Sequence, residues 1–396
     1  MPGRQLSNGI VLFYAFCALL SLFVYSRAFD NPFRQDDFVF LTHVEAHAFP
    51  DVLVPGPGFA FFRPGAVALF SLEHAWFGRH SGAYIVFNYA LHAVISVLLF
   101  FILRSLGGGR VALLASGLFL AGFGHYGKQV MWACTSGPLA SVLLSLVSIL
   151  IILRSVKQEP RAGLDRRGGL GWPPLVAFVL LAVSALFHEG SLAASILIVI
   201  LVTVESSHRL NRKYALLFLA LIPAALAAWL ALAGRYPAYH AVGLREAVAN
   251  APVHLLRFLG FMVLPLQPTT LIEGSPVSRT LVDAAPLLHV AVGSMLLLAL
   301  LYLAFLRRGM LRVLAAWLLL ALMPFTVLQY PTHHMDLRYL YPAAIPFCAL
   351  AAITVVSLWE RGGLTGRILG GGIALLALAG STVLQLLLEN RYDQWR

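Results

Sequence analysis

The sequence has few charged residues. Asp, Glu, Lys and Arg make up 11% of its 396 residues, whereas hydrophobic residues make up 60%. A soluble domain has about a quarter charged and about half apolar residues, so this composition excludes a water-soluble globular protein. The charge-free runs are long enough for membrane-spanning helices and too long for the alternating strands of an outer-membrane barrel. The sequence therefore predicts an all-α, polytopic transmembrane helical bundle.

Cysteine and lysine are also scarce. The three cysteines, Cys17, Cys134 and Cys348, form no CxxC pair, so neither a disulfide framework nor a cysteine metal site is expected. Only 3 of the 28 basic residues are lysine, and Ala and Gly are abundant. This bias is typical of a GC-rich bacterial genome, so we expect a protein of the bacterial inner membrane. The sequence contains no repeat, no low-complexity tract and no region with the composition of a soluble domain.

Eleven hydrophobic runs have the length and the flanking residues of membrane-spanning helices. They cover 9–28, 83–104, 110–126, 136–154, 174–188, 190–205, 214–234, 286–306, 311–329, 339–358 and 367–388. A weaker apolar stretch, 253–266, contains Arg257 and ends in two closely spaced prolines. We interpret it as a re-entrant or interfacial helix within an external loop at 235–285. The whole chain, 1–396, is thus expected to form one integral-membrane domain.

The distribution of basic residues sets the expected orientation. With the N-terminus in the cytoplasm, 16 of the 28 Lys and Arg residues lie on the cytoplasmic side, and 13 of the 17 acidic residues lie outside. Counting 253–266 as a full span would instead place Arg307, Arg308 and Arg312 outside. The net charge of +11 follows from this orientation and requires no nucleic-acid partner. The first run is longer than a signal-peptide core, so we expect it to remain as an anchor.

The first external loop, 29–82, is the longest and the most acidic. Its six acidic residues are Asp30, Asp36, Asp37, Glu45, Asp51 and Glu73. Apolar residues recur at helical spacing over 61–77 and predict an amphipathic helix on the membrane surface. A long loop in a compact bundle is more often functional than not, so we expect the chemistry of the protein here.

Two adjacent carboxylates, Asp36 and Asp37, lie shortly after the first span. Neighbouring carboxylates repel each other, so one can act as a general base while the other stays ionised and binds a metal or accepts hydrogen bonds. The alternative is a solvated helix cap. An Asp pair can act with or without a divalent metal, so the sequence assigns no cofactor.

Three further candidates are expected near the outer membrane surface. Arg63 precedes Pro64 at the start of the amphipathic helix, where a guanidinium can bind a phosphate or snorkel to the headgroups. His188 and Glu189 lie between two runs that share 174–205 and return to the same side. Helices this short do not cross a hydrocarbon core of about 30 Å, so both residues should be recessed and face a cavity. A polar cap on a tight turn is the alternative.

The last external loop contains His333, His334, Asp336 and Arg338. The two histidines and Asp336 are weak metal candidates, because their residue types are suitable but they do not form an HExxH motif. Arg338 precedes a late span at its outer end. That position suits the binding of an anion or of one of the external carboxylates.

In their order, these motifs resemble the GT-C fold integral-membrane glycosyltransferases, closest to the protein O-mannosyltransferase and aminoarabinose-transferase branches. The resemblance rests on Asp36-Asp37-Phe38, Phe62-Arg63-Pro64, Trp76-Phe77-Gly78, Tyr84 with Asn88 and His92, Phe187-His188-Glu189 and Arg338-Tyr339-Leu340-Tyr341-Pro342. His188 stands where that family has lysine, and we expect no counterpart of the large soluble C-terminal domain that many relatives have. Independently of the resemblance, Asn88 and His92 share one face of the second span and are expected to form interhelical hydrogen bonds.

The resemblance implies a sugar donor linked to a polyprenyl phosphate and an acidic first-loop residue that acts as general base. Asp36, or Asp37 in its place, would deprotonate an acceptor hydroxyl for an inverting attack. The residues assigned to the donor phosphate and the substrate are Arg63, Arg338, Lys128, His188 and Glu189. An external site has no access to cytosolic nucleotide sugars, whereas a lipid-linked donor reaches it through the bilayer. The acceptor would be a protein, a lipid or a glycan.

Two other classes of protein stay open at this point. A polytopic transporter or lipid flippase would be favoured by inverted repeats and by charged residues in broken helices at the membrane midplane, and the sequence has neither apart from the short hairpin at 174–205. A non-catalytic assembly protein could keep the GT-C fold. The replacement of Asp36 by Asn would leave the function of such a protein intact.

Overall fold

The computed structural model describes most of the chain. The described residues are 6–56, 59, 61–122, 127–158, 172–205, 212–232, 244–264, 276–326 and 337–393. Over these residues the secondary structure consists of α-helices and short 3₁₀ turns, without a strand, so the predicted all-α fold is confirmed. Within the same residues, five helices are long and apolar enough to cross a membrane, and seven shorter apolar helices accompany them.

Fourteen α-helices follow one another in the described part of the chain. They are α1 (Leu6–Ser26), α2 (Asp36–Ala46), α3 (Pro64–Phe77), α4 (Ser81–Ser105), α5 (Gly109–Leu120), α6 (Ser136–Gln158), α7 (Trp172–Phe187), α8 (Leu192–Glu205), α9 (Arg212–Leu232), α10 (Leu244–Val263), α11 (Pro276–Leu306), α12 (Met310–Thr326), α13 (Tyr341–Arg361) and α14 (Gly363–Asp393). Eleven of them coincide with the eleven hydrophobic runs, and the other three are α2, α3 and α10. The number of membrane crossings and the orientation stay predictions.

Three helix boundaries differ by about six residues or more from those expected. Helix α5 ends at Leu120, before the expected 126, because Gly122 takes a φ of +85° that terminates the helix. Helix α10 begins at Leu244, well before the apolar stretch at 253–266, because its first turns carry polar residues that hydropathy does not register. Helix α11 begins at Pro276, ahead of the expected 286. Proline is favoured in the first turn of a helix.

The packed centre of the bundle is formed by α4, α5, α6, α12 and α13. Two buried polar residues of α4 join these helices. Asn88 donates a hydrogen bond through Nδ2 to the Trp132 carbonyl at 2.8 Å. His92 lies 3.1 Å from the Leu120 carbonyl through Nε2 and 2.9 Å from the Tyr341 hydroxyl through Nδ1. Because a carbonyl only accepts, Nε2 carries the proton and Nδ1 accepts from the tyrosine. The predicted interhelical hydrogen bonds are confirmed for His92, whereas Asn88 binds the segment that precedes α6.

Of the first-loop helices, α3 packs on α6 and α7, and α2 packs on α3 and on the short turn that precedes α6. Small residues permit this close approach: a Cβ added to Gly137 would lie 2.5 Å from the Ala66 Cβ. At the far end of α3, Arg79 donates two hydrogen bonds to Glu45 of α2, at 2.8 and 2.7 Å. The helix predicted over 61–77 is therefore confirmed as α3, while its place on the membrane surface stays a prediction. Its N-terminus is directed toward the bundle, where the candidate site lies.

Candidate active site

A cavity of about 340 Å³ lies between the first-loop helices and the bundle. The acidic and basic residues in its wall are Asp36, Arg63, His188 and Arg338. From these residues the cavity follows α6 from Pro138 to Ile149, a distance of about 16 Å at 1.5 Å per residue. Trp317 and Ala321 of α12 contribute to the wall of the same cavity. The cavity thus joins a charged end to a largely apolar part along α6.

The short helices α7 and α8 help to create this space. They contain 16 and 14 residues, which corresponds to about 24 and 21 Å, so the prediction that they are shorter than a hydrocarbon core is confirmed. Helix α7 packs mainly on α6, whereas α8 packs mainly on α9 and α12. The two helices therefore diverge from the turn that joins them. His188 and Glu189 lie in that turn, at the charged end of the cavity.

Arg63 and Glu189 form a two-pronged ion pair. Arg63 is the N-cap residue of α3, and Pro64 is the first helical residue, as predicted from the Arg-Pro sequence. The Arg63 Nε donates to Glu189 Oε2 at 2.9 Å, and Nη2 donates to Oε1 at 2.6 Å. Desolvation favours the neutral acid, but the charge of Arg63 outweighs it and lowers the pKa of Glu189 to about 2. The pair therefore fixes the N-terminus of α3 to the turn between α7 and α8.

Arg338 and Lys128 lie against one indole ring. The Arg338 guanidinium carbon is 4.8 Å from the centre of the Trp132 ring, and the Lys128 Nζ is also 4.8 Å from it. Arg338 Nη1 donates to Asp36 Oδ2 at 3.3 Å. Attraction between a cation and an aromatic face orients each side chain, so Trp132 holds two positive charges near Asp36.

The adjacent residues Asp36 and Asp37 have different environments. The side chain of Asp36 is 53% exposed and lies in the cavity wall. Asp37 is 1% exposed, and its carboxylate accepts hydrogen bonds from the backbone N–H groups of Arg34, at 2.9 Å, and Cys134, at 2.8 Å. Burial raises the pKa of Asp37 to about 6 despite these hydrogen bonds. Asp36 is accessible to a substrate, whereas Asp37 anchors the chain around Cys134.

His188 presents a hydrogen-bond donor to the cavity. Its Nδ1 accepts a hydrogen bond from the Gly190 backbone N–H at 3.0 Å. A neutral imidazole that accepts at Nδ1 carries its proton on Nε2. The ring is 9% exposed and lies in the cavity wall. A neutral donor at this position suits an oxygen of a phosphate or a sugar.

The remaining predicted residues divide into two groups. Glu189 contacts the wall residue Arg63, and Lys128 lies on the Trp132 ring, which the wall residue Arg338 also contacts. The three weak metal candidates His333, His334 and Asp336 lie outside the described residues. Within the residues that are described, no group of three His, Cys, Asp or Glu side chains is placed to hold a metal ion. We therefore derive no step through a metal.

Sequence reasoning missed Trp132 and a group of buried serines. Ser141 and Ser145 of α6 lie in the cavity wall, and both hydroxyls contact Ser184 of α7, at 3.1 and 3.0 Å. A serine on an apolar helix is common, and a tryptophan between two hydrophobic runs matches no motif. Trp132 becomes a candidate only in the structure, because Arg338, which is distant in sequence, lies on its ring.

Comparison with known proteins finds similarity in structure alone. No protein-family model matches the chain, and no curated protein sequence matches it. The oligosaccharyltransferase of Archaeoglobus fulgidus in its apo form aligns with a TM-score of 0.55 at 13% identity, over 98% of this chain and 56% of that chain. Archaeal AglB from the same organism, in complex with an inhibitory peptide and a dolichol-phosphate, aligns with a TM-score of 0.54 at 13% identity, over 99% and 56%.

A third solved structure is ArnT from Cupriavidus metallidurans in the apo state, with a TM-score of 0.48 at 14% identity over 98% of this chain and 76% of that chain. The chain spans only about half the length of the two oligosaccharyltransferases, 56% in each case. Their alignment nevertheless includes nearly all of its helices. The predicted resemblance is confirmed at the level of the fold: the chain has the GT-C fold of these membrane oligosaccharyltransferases.

Proposed function

We propose that the protein is a membrane glycosyltransferase that moves a sugar from a polyprenyl-phosphate-type lipid to an acceptor hydroxyl. The observation that carries the proposal is the cavity itself, in which Asp36, Arg63 and Arg338 meet at one end of an apolar passage along α6. An amphiphile with a phosphate head and a hydrocarbon chain matches both parts. The GT-C fold, and the dolichol-phosphate bound by the similar AglB, support this class of donor.

The proposed reaction is a single displacement with inversion. Asp36 accepts the proton of the acceptor hydroxyl, whose oxygen forms a bond to the anomeric carbon of the sugar. The bond between that carbon and the phosphate oxygen breaks, and the oxygen keeps the electron pair. Polyprenyl phosphate leaves with one more negative charge, which Arg338 stabilises together with Arg63. The proton on Asp36 is then released to solvent.

The neighbouring residues take supporting roles in this proposal. Lys128 also lies on the Trp132 ring and adds its positive charge to that of Arg338. His188 donates a hydrogen bond from Nε2 to an oxygen of the donor, and Glu189 fixes the fork of Arg63. Asp37 holds the backbone at Cys134 and so keeps Asp36 at the cavity. The acceptor is a protein, lipid or glycan, and nucleic acid is not among the proposed partners.

The proposed function is tested with purified protein in vesicles that contain polyprenyl-phosphate-linked monosaccharides with a radiolabelled sugar. We expect the label to leave the lipid, with water as the acceptor when no other hydroxyl is added. The matched control is Asp36→Asn, which keeps the shape of the side chain and removes its basicity. Movement of the intact labelled lipid across the vesicle membrane, without loss of its sugar, would contradict the proposal and favour the flippase.

The proposed orientation places the cavity on the periplasmic or external side of the inner membrane. It is tested in a background without Cys17, Cys134 and Cys348, by introducing a cysteine either at Phe49, which is 79% exposed in the first loop, or at the exposed Arg308. In intact cells, we expect a membrane-impermeant maleimide to label the first and to spare the second, because basic loops stay in the cytoplasm. The reverse pattern would place the cavity in the cytoplasm.

A further inference from the structure

The acid Glu73, which the proposed reaction does not use, is fully buried beside the site. It lies on α3 and is 0% exposed. The Ser136 hydroxyl donates a hydrogen bond to its Oε2 at 3.0 Å. Its other oxygen, Oε1, is buried and has no hydrogen-bond partner in the described part of the chain. The one hydrogen bond found for this buried carboxyl group in the described part of the chain therefore joins α3 to Ser136, the first residue of α6.

The hydrogen bond between Glu73 and Ser136 lies next to a short turn that contacts the site. Ser136 directly follows the 3₁₀ turn Ala133–Thr135, of which Cys134 and Thr135 lie in the cavity wall. The Cys134 backbone N–H donates to Asp37 on one side of the turn. Trp132, which carries Arg338 and Lys128, precedes it. Two buried carboxyl groups, from α2 and from α3, therefore hold consecutive parts of one short segment.

We propose that Glu73 is a positioning residue: through Ser136 it clamps the Ala133–Thr135 turn, and thereby holds the backbone that Asp37 binds and the Trp132 ring that Arg338 contacts. The contact itself is independent of the reaction, and its importance for sugar transfer rests on the proposed function. Glu73 lies outside the cavity wall and is not a catalytic residue. Its effect on the site passes through Ser136.

The surroundings of Glu73 favour its neutral form. Burial raises the pKa of Glu73 to about 8. Besides His74 on α3 itself, the titratable groups of the elements packed against α3 are Asp36, Asp37, His43 and Glu45 of α2, Asp51 of the turn Asp51–Leu53, Tyr84, Tyr89, His92 and Arg104 of α4, and Arg154 and Lys157 of α6. The two arginines that flank α3 are bound to other carboxylates, Arg63 to Glu189 and Arg79 to Glu45. Helix α7 has no titratable residue, and the Lys and Arg residues of α4 and α6 lie near the opposite ends of those helices.

The raised pKa predicts how the clamp depends on pH. The folded-state value, about 8, lies above the ordinary value of 4.5, so the closed clamp binds the proton more tightly than the open one. Its stability is complete below the ordinary value and is lost as the pH rises through about 8. Opening that returns Glu73 to solvent should therefore become more favourable by up to about tenfold per pH unit within this window, and level off above it.

The native thiol of Cys134 reports this opening directly. It is 8% exposed, and it lies in the clamped turn. In a chain with Cys17→Ala and Cys348→Ala, its rate of maleimide labelling is measured at pH 6, 7 and 8, with Glu73 present and with Glu73→Gln. Glutamine keeps the shape and an oxygen acceptor for Ser136 but does not titrate. Ionisation of the Cys134 thiol changes the labelling rate of both proteins equally. The ratio of the two labelling rates therefore reports only the effect of Glu73 ionisation.

We expect this ratio, the labelling rate with Glu73 present divided by the rate of the Glu73→Gln variant, to rise several-fold from pH 6 to pH 8, toward the limit of about tenfold per unit. Glu73→Ala should label faster than Glu73→Gln at pH 6, because it lacks the acceptor. A ratio that stays constant with pH, or equal labelling of the Gln and Ala variants, would overturn the clamp. The pH series needs only Glu73→Gln if the Ala variant does not fold. No sugar transfer is measured, so failure here leaves the proposed function untouched.

Discussion

Replacing Asp36 with Asn is expected to lower sugar transfer by about 10²- to 10⁴-fold, the usual contribution of a general base. The side chain is 53% exposed and contacts Arg338 at 3.3 Å, so the substitution disturbs little of the buried structure. The variant should insert into the membrane and have the same melting temperature as the unmodified protein. The measurement is the initial rate of sugar release from the labelled lipid, together with the melting temperature of both proteins.

The matched control is Asp37→Asn, which we expect to act mainly on stability. Both carboxylate oxygens of Asp37 accept backbone hydrogen bonds, from Arg34 and Cys134, so an amide must direct its NH₂ group at one of these donors. An unsatisfied buried donor costs about 1–3 kcal/mol, and the melting temperature should fall.

A different outcome would exchange the roles of the two acids. If Asp36→Asn transfers sugar normally while a stably folded Asp37→Asn does not, the base is Asp37. The pH profile gives an independent criterion. Because burial raises the pKa of Asp37 to about 6 and a base acts in its ionised form, transfer by Asp37 would rise with pH through about 6 and then level off.

Replacing Arg338 with Gln is expected to weaken the binding of polyprenyl phosphate by about 10- to 100-fold, because a hydrogen bond to a charged group contributes about 1.5–3 kcal/mol. The two arginines of the cavity wall differ in the length of their hydrogen bonds to carboxylates. Glu189 occupies the fork of Arg63 with bonds of 2.9 and 2.6 Å, whereas Asp36 meets Arg338 at 3.3 Å. We therefore expect Arg338 to contribute more to phosphate binding than Arg63.

Two variants serve as controls for this prediction. Arg338→Lys keeps the charge but loses the planar fork and its stacking on Trp132, so its affinity should lie between those of the unmodified protein and Arg338→Gln. Arg63→Gln should weaken binding less than Arg338→Gln does. The measurement is a titration of the purified protein with polyprenyl phosphate. A larger effect at Arg63, or unchanged binding by Arg338→Gln, would assign the phosphate to another part of the cavity.

The positions of most helices could be predicted from the sequence because a bilayer imposes one strong requirement on every span. Each lipid-facing helix needs a long apolar run, and the runs located eleven helices. Hydropathy did not locate α2, because its eleven residues mix apolar side chains with charged and polar ones. It also underestimated α10, where the polar first turns conceal a helix of 20 residues. Amphipathic segments outside the membrane lack that strong signal.

The candidate site could be predicted only in part. Arg63, Glu189, Arg338 and Asp36 carry charges that are costly near a membrane, and this cost singles them out in sequence. Their pairing is a property of long-range packing, since 126 residues separate Arg63 from Glu189. The different roles of Asp36 and Asp37 also depend on the fold, because burial by the Cys134 turn distinguishes two identical side chains.

The central claim, that the cavity holds a lipid-linked phosphate with its chain along α6, is tested most directly by photo-crosslinking. The probe is a polyprenyl phosphate with a diazirine in its first isoprene unit, added to the purified protein with and without excess unlabelled polyprenyl phosphate. We predict competable crosslinks to the cavity wall, at Val142 or Ser145 of α6 or Trp317 of α12. Crosslinks confined to exposed residues such as Leu375 of α14, unaffected by the competitor, would contradict the account.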